Sequence, residues 1–162
     1  MTQANRVLEG TEGVRAAVGE HLGYSDWHEV TQAQVQQFAD ATGDQQWIHT
    51  DPILATAGPF GGPIAHGYLT LSLSNLFLPQ IVEVRGVSAG VNYGCGKVRF
   101  PAPVAVGSRI RAGALLTEVA DVAGGIQTTI VITIEVEGHG KPACVIESLS
   151  RWLEERPGPH AP

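Results

Sequence analysis

Eleven consecutive residues, Tyr68-Leu69-Thr70-Leu71-Ser72-Leu73-Ser74-Asn75-Leu76-Phe77-Leu78, carry no charge and are apolar or small on nearly every face. The run suits either an alternating strand or a buried helix. A Gly/Pro-rich loop leads into it, Pro79 follows it, and its length fits three turns, so it reads as a helix from Gly67 to Leu78. A helix without a polar face needs cover from other elements. The rest of the chain must supply that cover, and 162 residues are enough for one domain with a substantial core.

The cover comes from the second half, which has the period of β-structure. Gly86–Tyr93, Arg109–Val119, Ile126–Glu137 and Ala143–Leu153 are strand-like, and Lys97–Phe100 is a further short candidate. In the third run Thr128, Ile130, Ile132, Ile134 and Val136 fall on one face. Gly124-Gly125 has hairpin composition. Strands joined by short turns pair antiparallel. The fold class is therefore α+β, with a long helix packed on a twisted antiparallel sheet.

Towards the N-terminus, Val14, Ala17, Val18 and Leu22 have helical spacing and predict a helix over 11–22. Ser25 to Val30 suits a short strand. Thr31 and Gln34 have the form of a capping box opening a second helix, which buries Val35, Phe38 and Ala39 and stops at Gly43. Residues 43–65 read as a long loop with at most a short helix near 52–57; loops this long in compact domains often carry function. One domain over 11–153 is expected, with a flexible N-terminus over 1–10 and a Pro-rich tail over 154–162.

Several function classes fall away. A net charge of −6 argues against nucleic-acid binding, which needs a basic face. No apolar stretch is long enough to span a bilayer, and the first residues lack the pattern of a signal peptide. Cys95 and Cys144 form no metal-type pair and read as free thiols in a reducing cytoplasm. Neither has an adjacent base, Gly94-Cys95-Gly96 lacks the rest of a dinucleotide fingerprint, and Ser72 and Ser74 lack a nucleophile elbow.

Three features could carry chemistry. Asp44 and His49 lie five residues apart just beyond a helix end. A continuing helix would splay them by about 140°, whereas a loop could bring both onto one water as an acid–base pair. The structural alternative is a turn-capping Asp and a partly exposed His. Next, Gly58-Pro59-Phe60-Gly61-Gly62-Pro63-Ile64-Ala65-His66-Gly67 places glycines directly before the apolar helix. The first N–H groups of a helix lack internal partners and can face an oxyanion, and Gly67 would let a substrate approach closely. Third, residues 84–117 contain no acid but hold Arg85, Lys97, Arg99, Arg109 and Arg111, a stretch suited either to a phosphorylated ligand or to pairing with acids on neighbouring strands. Asp44, His49 and His66 match no zinc spacing, so no metal is expected.

Phe38-Ala39-Asp40-Ala41-Thr42-Gly43-Asp44-Gln45-Gln46-Trp47-Ile48-His49, with Ala55 beyond it, resembles the hydratase-2 motif of the MaoC-like dehydratases. Phe60–Gly67 and the segment Lys97–Val104 with Val106-Gly107-Ser108 resemble two further stretches of that family. The resemblance spans residues 25–152 and is nearest to single-domain bacterial (R)-specific enoyl-CoA hydratases. It implies a hot-dog fold, a cytoplasmic homodimer with a continuous sheet, and reversible hydration of trans-2-enoyl-CoA to (R)-3-hydroxyacyl-CoA in fatty-acid metabolism. CoA would belong to the substrate and no cofactor would be needed. Asp44 and His49 match the catalytic pair, Gly67 matches the oxyanion donor, and Gln46 can still hydrogen-bond as an orienting residue. Ile64, Ala65, His66, Trp47, Lys97 and Arg99 are the expected substrate-binding residues. The family usually has Asn-Pro where this chain has Gln46-Trp47, and Asn75 stands where some members place a serine. A carrier-protein dehydratase, a thioesterase or a non-catalytic acyl-CoA-binding subunit on the same fold remains the alternative, although residues 67–78 lack the acid that thioesterases often carry on that helix.

Overall fold

The computed structural model describes residues 4–154, so most of the expected tail lies outside the described residues. In chain order the elements are β1 (Arg6–Glu9), α1 (Gly10–Ala16), β2 (His21–Tyr24), β3 (His28–Glu29), α2 (Gln32–Thr42), α3 (Trp47–Thr50), α4 (Pro52–Thr56), α5 (Gly67–Ser72), α6 (Ser74–Ile81), β4 (Val82–Arg85), β5 (Ala89–Arg99), β6 (Arg109–Val122), β7 (Gly125–Val136) and β8 (Cys144–Leu153).

The alternation in β7 becomes the middle of an antiparallel sheet ordered β2-β6-β7-β8-β5, with β3 also paired to β6. Every second residue of β7 from Ile126 to Val136 is buried. Gly124, at φ 80°, makes the tight turn that returns the chain from β6 into β7. Lys97–Arg99 is the far end of β5, which is one long strand interrupted by register shifts at Asn92/Gly94 and Cys95/Val98. That strand lies at the sheet edge and is exposed along almost its whole length.

The apolar helix forms as expected but in two segments. Leu73 separates α5 from α6, yet its φ −65° and ψ −13° are still right-handed, and Phe77 N–H donates to the Leu73 carbonyl at 3.1 Å. Pro79 does not end it. It lies inside α6, where a proline gives up its own N–H bond and crowds the carbonyl four residues back, and the helix still continues to Ile81. Leu69, Leu73, Phe77 and Ile81, at four-residue intervals, form the buried stripe against the sheet. Tyr68 and Leu76 face away and are 71% and 42% exposed, so within one chain only one side of the helix is covered. The sheet wrapped on this helix is the hot-dog arrangement.

Two N-terminal expectations change. The helix over 11–22 stops at Ala16, and Leu22 reaches the core from β2. Part of the segment expected to be flexible is β1, which pairs in parallel with β4 from Arg6↔Val82 to Glu9↔Arg85. These two strands form a sheet of their own, and Leu8 is buried in the core.

Candidate active site

The loop carrying Asp44 and His49 begins where α2 ends. Thr31 caps that helix, its hydroxyl accepting from Gln34 N–H at 3.2 Å, while the Gln34 side chain contacts His28 instead of closing a box. At the other end Gly43 adopts φ 81° and donates its N–H to the Ala39 carbonyl, a conformation that favours glycine. The chain thereby turns out of the helix at Asp44, whose side chain is exposed.

Five residues later α3 buries His49, which is 7% exposed. The Gln46 carbonyl accepts from the His49 N–H at 2.9 Å, and Gln32 Nε2 donates to the His49 carbonyl at 2.8 Å. His49 Nδ1 lies 2.7 Å from the Ile64 carbonyl oxygen. A carbonyl only accepts, so Nδ1 carries the proton and Nε2 is left for chemistry. The His66 ring stacks on His49 with centroids 3.8 Å apart.

Two cavities meet here. One of about 300 Å³ is lined mainly by apolar groups, including Phe60, Ile64, Ala65, Phe100 and Val104. The other, about 190 Å³, is lined by Phe38, Thr42, Asp44, His49, His66, Gly67 and Tyr68. His49 and Gly67 belong to both walls. Gly67 is the first residue of α5, and its N–H is among those a helix start leaves without an internal partner. A Cβ on Gly67 would lie 3.4 Å from the Phe100 ring, so the backbone is bare toward that gap.

Asp44, His49 and Gly67 are therefore brought together, as are Ile64, Ala65 and His66. Gln46 acts through its carbonyl at the start of α3; its side chain makes no hydrogen bond among those described, so the orienting amide expected there is not seen. Trp47 lines neither cavity. Its ring lies over Gly58, where a Cβ would come within 2.8 Å, and so props the glycine loop. The basic stretch is mostly paired: Arg85 with Glu83, Arg109 with Glu137 and Arg111 with Glu135. Among the described residues Lys97 and Arg99 have no ion pair and are exposed on β5, just before Phe100 at the apolar cavity. Glu147 accepts the Lys97 backbone N–H at 3.0 Å. Gln32 joins the site without having been singled out in the sequence, because nothing in a lone helix marks which polar residue will meet a distant loop; Phe38, expected only as part of the buried stripe, also lines the polar cavity.

Asp44, His49 and His66 can each place one ligand-type atom within 4.8 Å of the others. Both imidazoles already spend one nitrogen on a backbone carbonyl. Their planes are only 28° apart, so the remaining lone pairs lie in nearly parallel planes instead of converging on one ion. The cluster suits proton transfer better than metal binding.

The family described as MaoC like domain matches residues 14–137. The chain is 53% identical over 149 residues to 3-hydroxyacyl-thioester dehydratase Z of Mycobacterium tuberculosis, covering 91% of this chain and 99% of that relative. Among solved structures, the monoamine oxidase regulatory protein from Archaeoglobus fulgius superposes with a TM-score of 0.76 at 26% identity, covering 95% of this chain and 99% of that one. The (R)-hydratase from A. caviae involved in PHA biosynthesis gives a TM-score of 0.64 at 25% identity, covering 82% and 94%.

Proposed function

The chain belongs to the MaoC-like dehydratase family as a hydro-lyase, and from that membership we propose that it interconverts a trans-2-enoyl-CoA and the (R)-3-hydroxyacyl-CoA. The observation that carries this reading is the shared wall: His49 and Gly67 border both an apolar cavity fit for an acyl chain and a polar cavity holding Asp44. The dehydratase and (R)-hydratase named above support the reaction class and the stereochemistry.

In this reading the Gly67 N–H donates to the thioester carbonyl and stabilises the negative charge that builds on its oxygen. That polarisation makes C3 electrophilic. Asp44 and His49 hold one water between them. As its oxygen bonds to C3, one of the pair takes its proton and the other gives a proton to C2 on the same face. The two act as one coupled acid–base unit, which dehydration runs in reverse. The Ile64 carbonyl fixes the His49 tautomer. Lys97 and Arg99, free of ion pairs among the described residues and adjoining Phe100, are suited to the phosphates of CoA. The reading includes a cytoplasmic homodimer, joined through the exposed edge of β5 and its apolar Val91 and Tyr93, since a long unpaired edge is a template for another strand.

Purified protein is expected to consume crotonyl-CoA with loss of enoyl-thioester absorbance and to give the (R) alcohol. Asp44→Asn and His49→Gln are each expected to fold and to lose activity by ~10²–10⁴-fold. Full activity in both variants, or an (S) product, overturns the reading. Presenting the same acyl group on a carrier protein separates the CoA enzyme from a carrier-protein dehydratase.

A further inference from the structure

We propose that His66 is a positioning residue for this reaction, holding the acid–base pair and the oxyanion donor in one register; the inference rests on the hydratase reading. Three contacts of His66 lead to three reacting groups. Its Nε2 lies 3.0 Å from the Asp44 carbonyl oxygen and donates to it. Its ring stacks on His49. Its own carbonyl carbon forms the peptide whose nitrogen is the Gly67 N–H, and its carbonyl oxygen accepts from Thr70 N–H at 3.1 Å and Thr70 Oγ1 at 3.3 Å, which locks that peptide into α5.

The Asp44 end depends on this contact. Among the described residues the only other hydrogen bond Asp44 makes is a long one, 3.5 Å, from its N–H to Thr42 Oγ1. Its side chain is exposed and unbonded. The His66 donor is thus the main anchor for the position of the carboxylate.

The His49 end depends on the ring. His66 is 2% exposed and packed against Phe38, with centroids 5.0 Å apart, so it offers His49 a fixed flat face. Its Nδ1 is buried and has no partner. An unmatched buried nitrogen is tolerable as a bare lone pair but costly as a donor. The Asp44 bond places the proton on Nε2 and leaves Nδ1 bare, so the two contacts agree on one tautomer. The stacked rings then carry complementary arrangements, Nδ1–H on His49 and Nε2–H on His66. The first two contacts belong to the imidazole and a residue that merely filled space would need neither; the third is made by the backbone and ties them to the Gly67 peptide. Because Nδ1 is sealed from solvent, His66 acts through its neighbours and not on substrate.

Two variants of the full chain separate the contributions. His66→Phe keeps a ring and removes the donor; His66→Gln keeps a donor near the position of Nε2 and removes the ring. With crotonyl-CoA, His66→Phe is expected to lower kcat ~10²-fold, the scale of a 1 Å misplacement of reacting groups, with KM within about threefold of the starting value. His66→Gln is expected to recover part of that loss. Wild-type kcat in both folded variants, or a change in KM alone, overturns the role. Imidazole ¹⁵N shifts of the unsubstituted protein test it without relying on turnover or on the variants folding: Nε2–H on His66 and Nδ1–H on His49 are expected, and the reverse on His66 overturns the proposal. A protein with these tautomers that hydrates no enoyl thioester instead refutes the hydratase reading.

Discussion

Gly67→Ala separates the work of this position in the site from any work in the fold. Gly67 is not among the glycines of positive φ, so alanine meets no backbone strain, and in the first turn of α5 it is a better helix former. Its methyl would sit 3.4 Å from Phe100 Cγ, Cδ2 and Cε2, slightly closer than the ~3.5–4.0 Å of relaxed carbon contacts. Phe100 is 44% exposed and can yield by that margin. Stability is therefore expected to stay within about 1 kcal/mol of the starting protein in urea unfolding. Catalysis has no such slack. The gap between Gly67 and the Phe100 ring lies where the two cavities adjoin, and the methyl fills it. A thioester pushed about 1 Å from the Gly67 N–H is expected to lose ~10²-fold in kcat/KM, about 2.7 kcal/mol of transition-state stabilisation. The assay is enoyl-CoA hydration, with Phe100→Ala added as a second substitution. If the loss is steric, removing the ring reopens the gap and the double variant regains at least about tenfold. Unchanged kcat/KM in Gly67→Ala refutes the placement of the thioester; a loss that tracks unfolding refutes the separation of site from fold.

Other outcomes follow from the core. Phe77 is fully buried, and Phe77→Ala is expected to cost about 3–5 kcal/mol in urea unfolding, with residual folded protein still active because Phe77 lines neither active-site cavity. Burial, with a lesser contribution from Cys95, pushes the Cys144 thiol up to about 12 from an ordinary value of 9.0. Since the folded thiol keeps its proton longer, its contribution to stability is whole below pH 9 and is lost as pH rises from there towards 12. Cys144→Ala is expected to flatten the unfolding free energy across that window; an unchanged slope would count against burial as the cause. In native protein, exposed Cys95 is expected to react with a thiol reagent at pH 8 while Cys144 does not, and rapid labelling of both would contradict the packing.

The readable parts of the fold were those where a single period runs long. β7 alternates over its full length, and a one-residue slip would turn Ile130, Ile132 and Ile134 to the other face, so both strand and register follow from the pattern. The apolar run suited strand or helix by itself; it was legible as a helix because a Gly/Pro loop leads into it and its length fits three turns. The helix expected over 11–22 shows the opposite case. Val14 and Ala17 do sit at the expected interval and are buried, but Leu22 belongs to a four-residue strand whose identity comes from pairing with β6. Strand β1 likewise has no period of its own; it exists because Val82–Arg85 offers it an edge. Short segments take their structure from partners, and a local window does not contain the partner.

The site divides along the same line. Asp44 and His49 were visible because a helix stop at Gly43 and a loop put two complementary groups within reach, and Gly67 because a helix start leaves its N–H open. The basic stretch divides between its two readings, because charge counted along the chain is neutralised across the sheet: Arg109 meets Glu137 just beyond β7 and Arg111 meets Glu135 on it, 28 and 24 residues away. What survives that pairing is the short segment Lys97–Arg99 on the edge strand β5, where Glu147 of the neighbouring β8 accepts the Lys97 backbone N–H and, among the described residues, pairs with neither cation. The same unpaired edge thus leaves two cations for an anionic ligand and an open ladder for a second chain. Charge reversal of Lys97 and Arg99 together is then expected to raise KM for the CoA substrate while leaving kcat near its starting value, since neither residue touches the acid–base pair. A fall in kcat with KM unchanged would place these cations at the chemistry instead of at the CoA phosphates, and a shift from dimer to monomer in sedimentation would show that they serve the open edge.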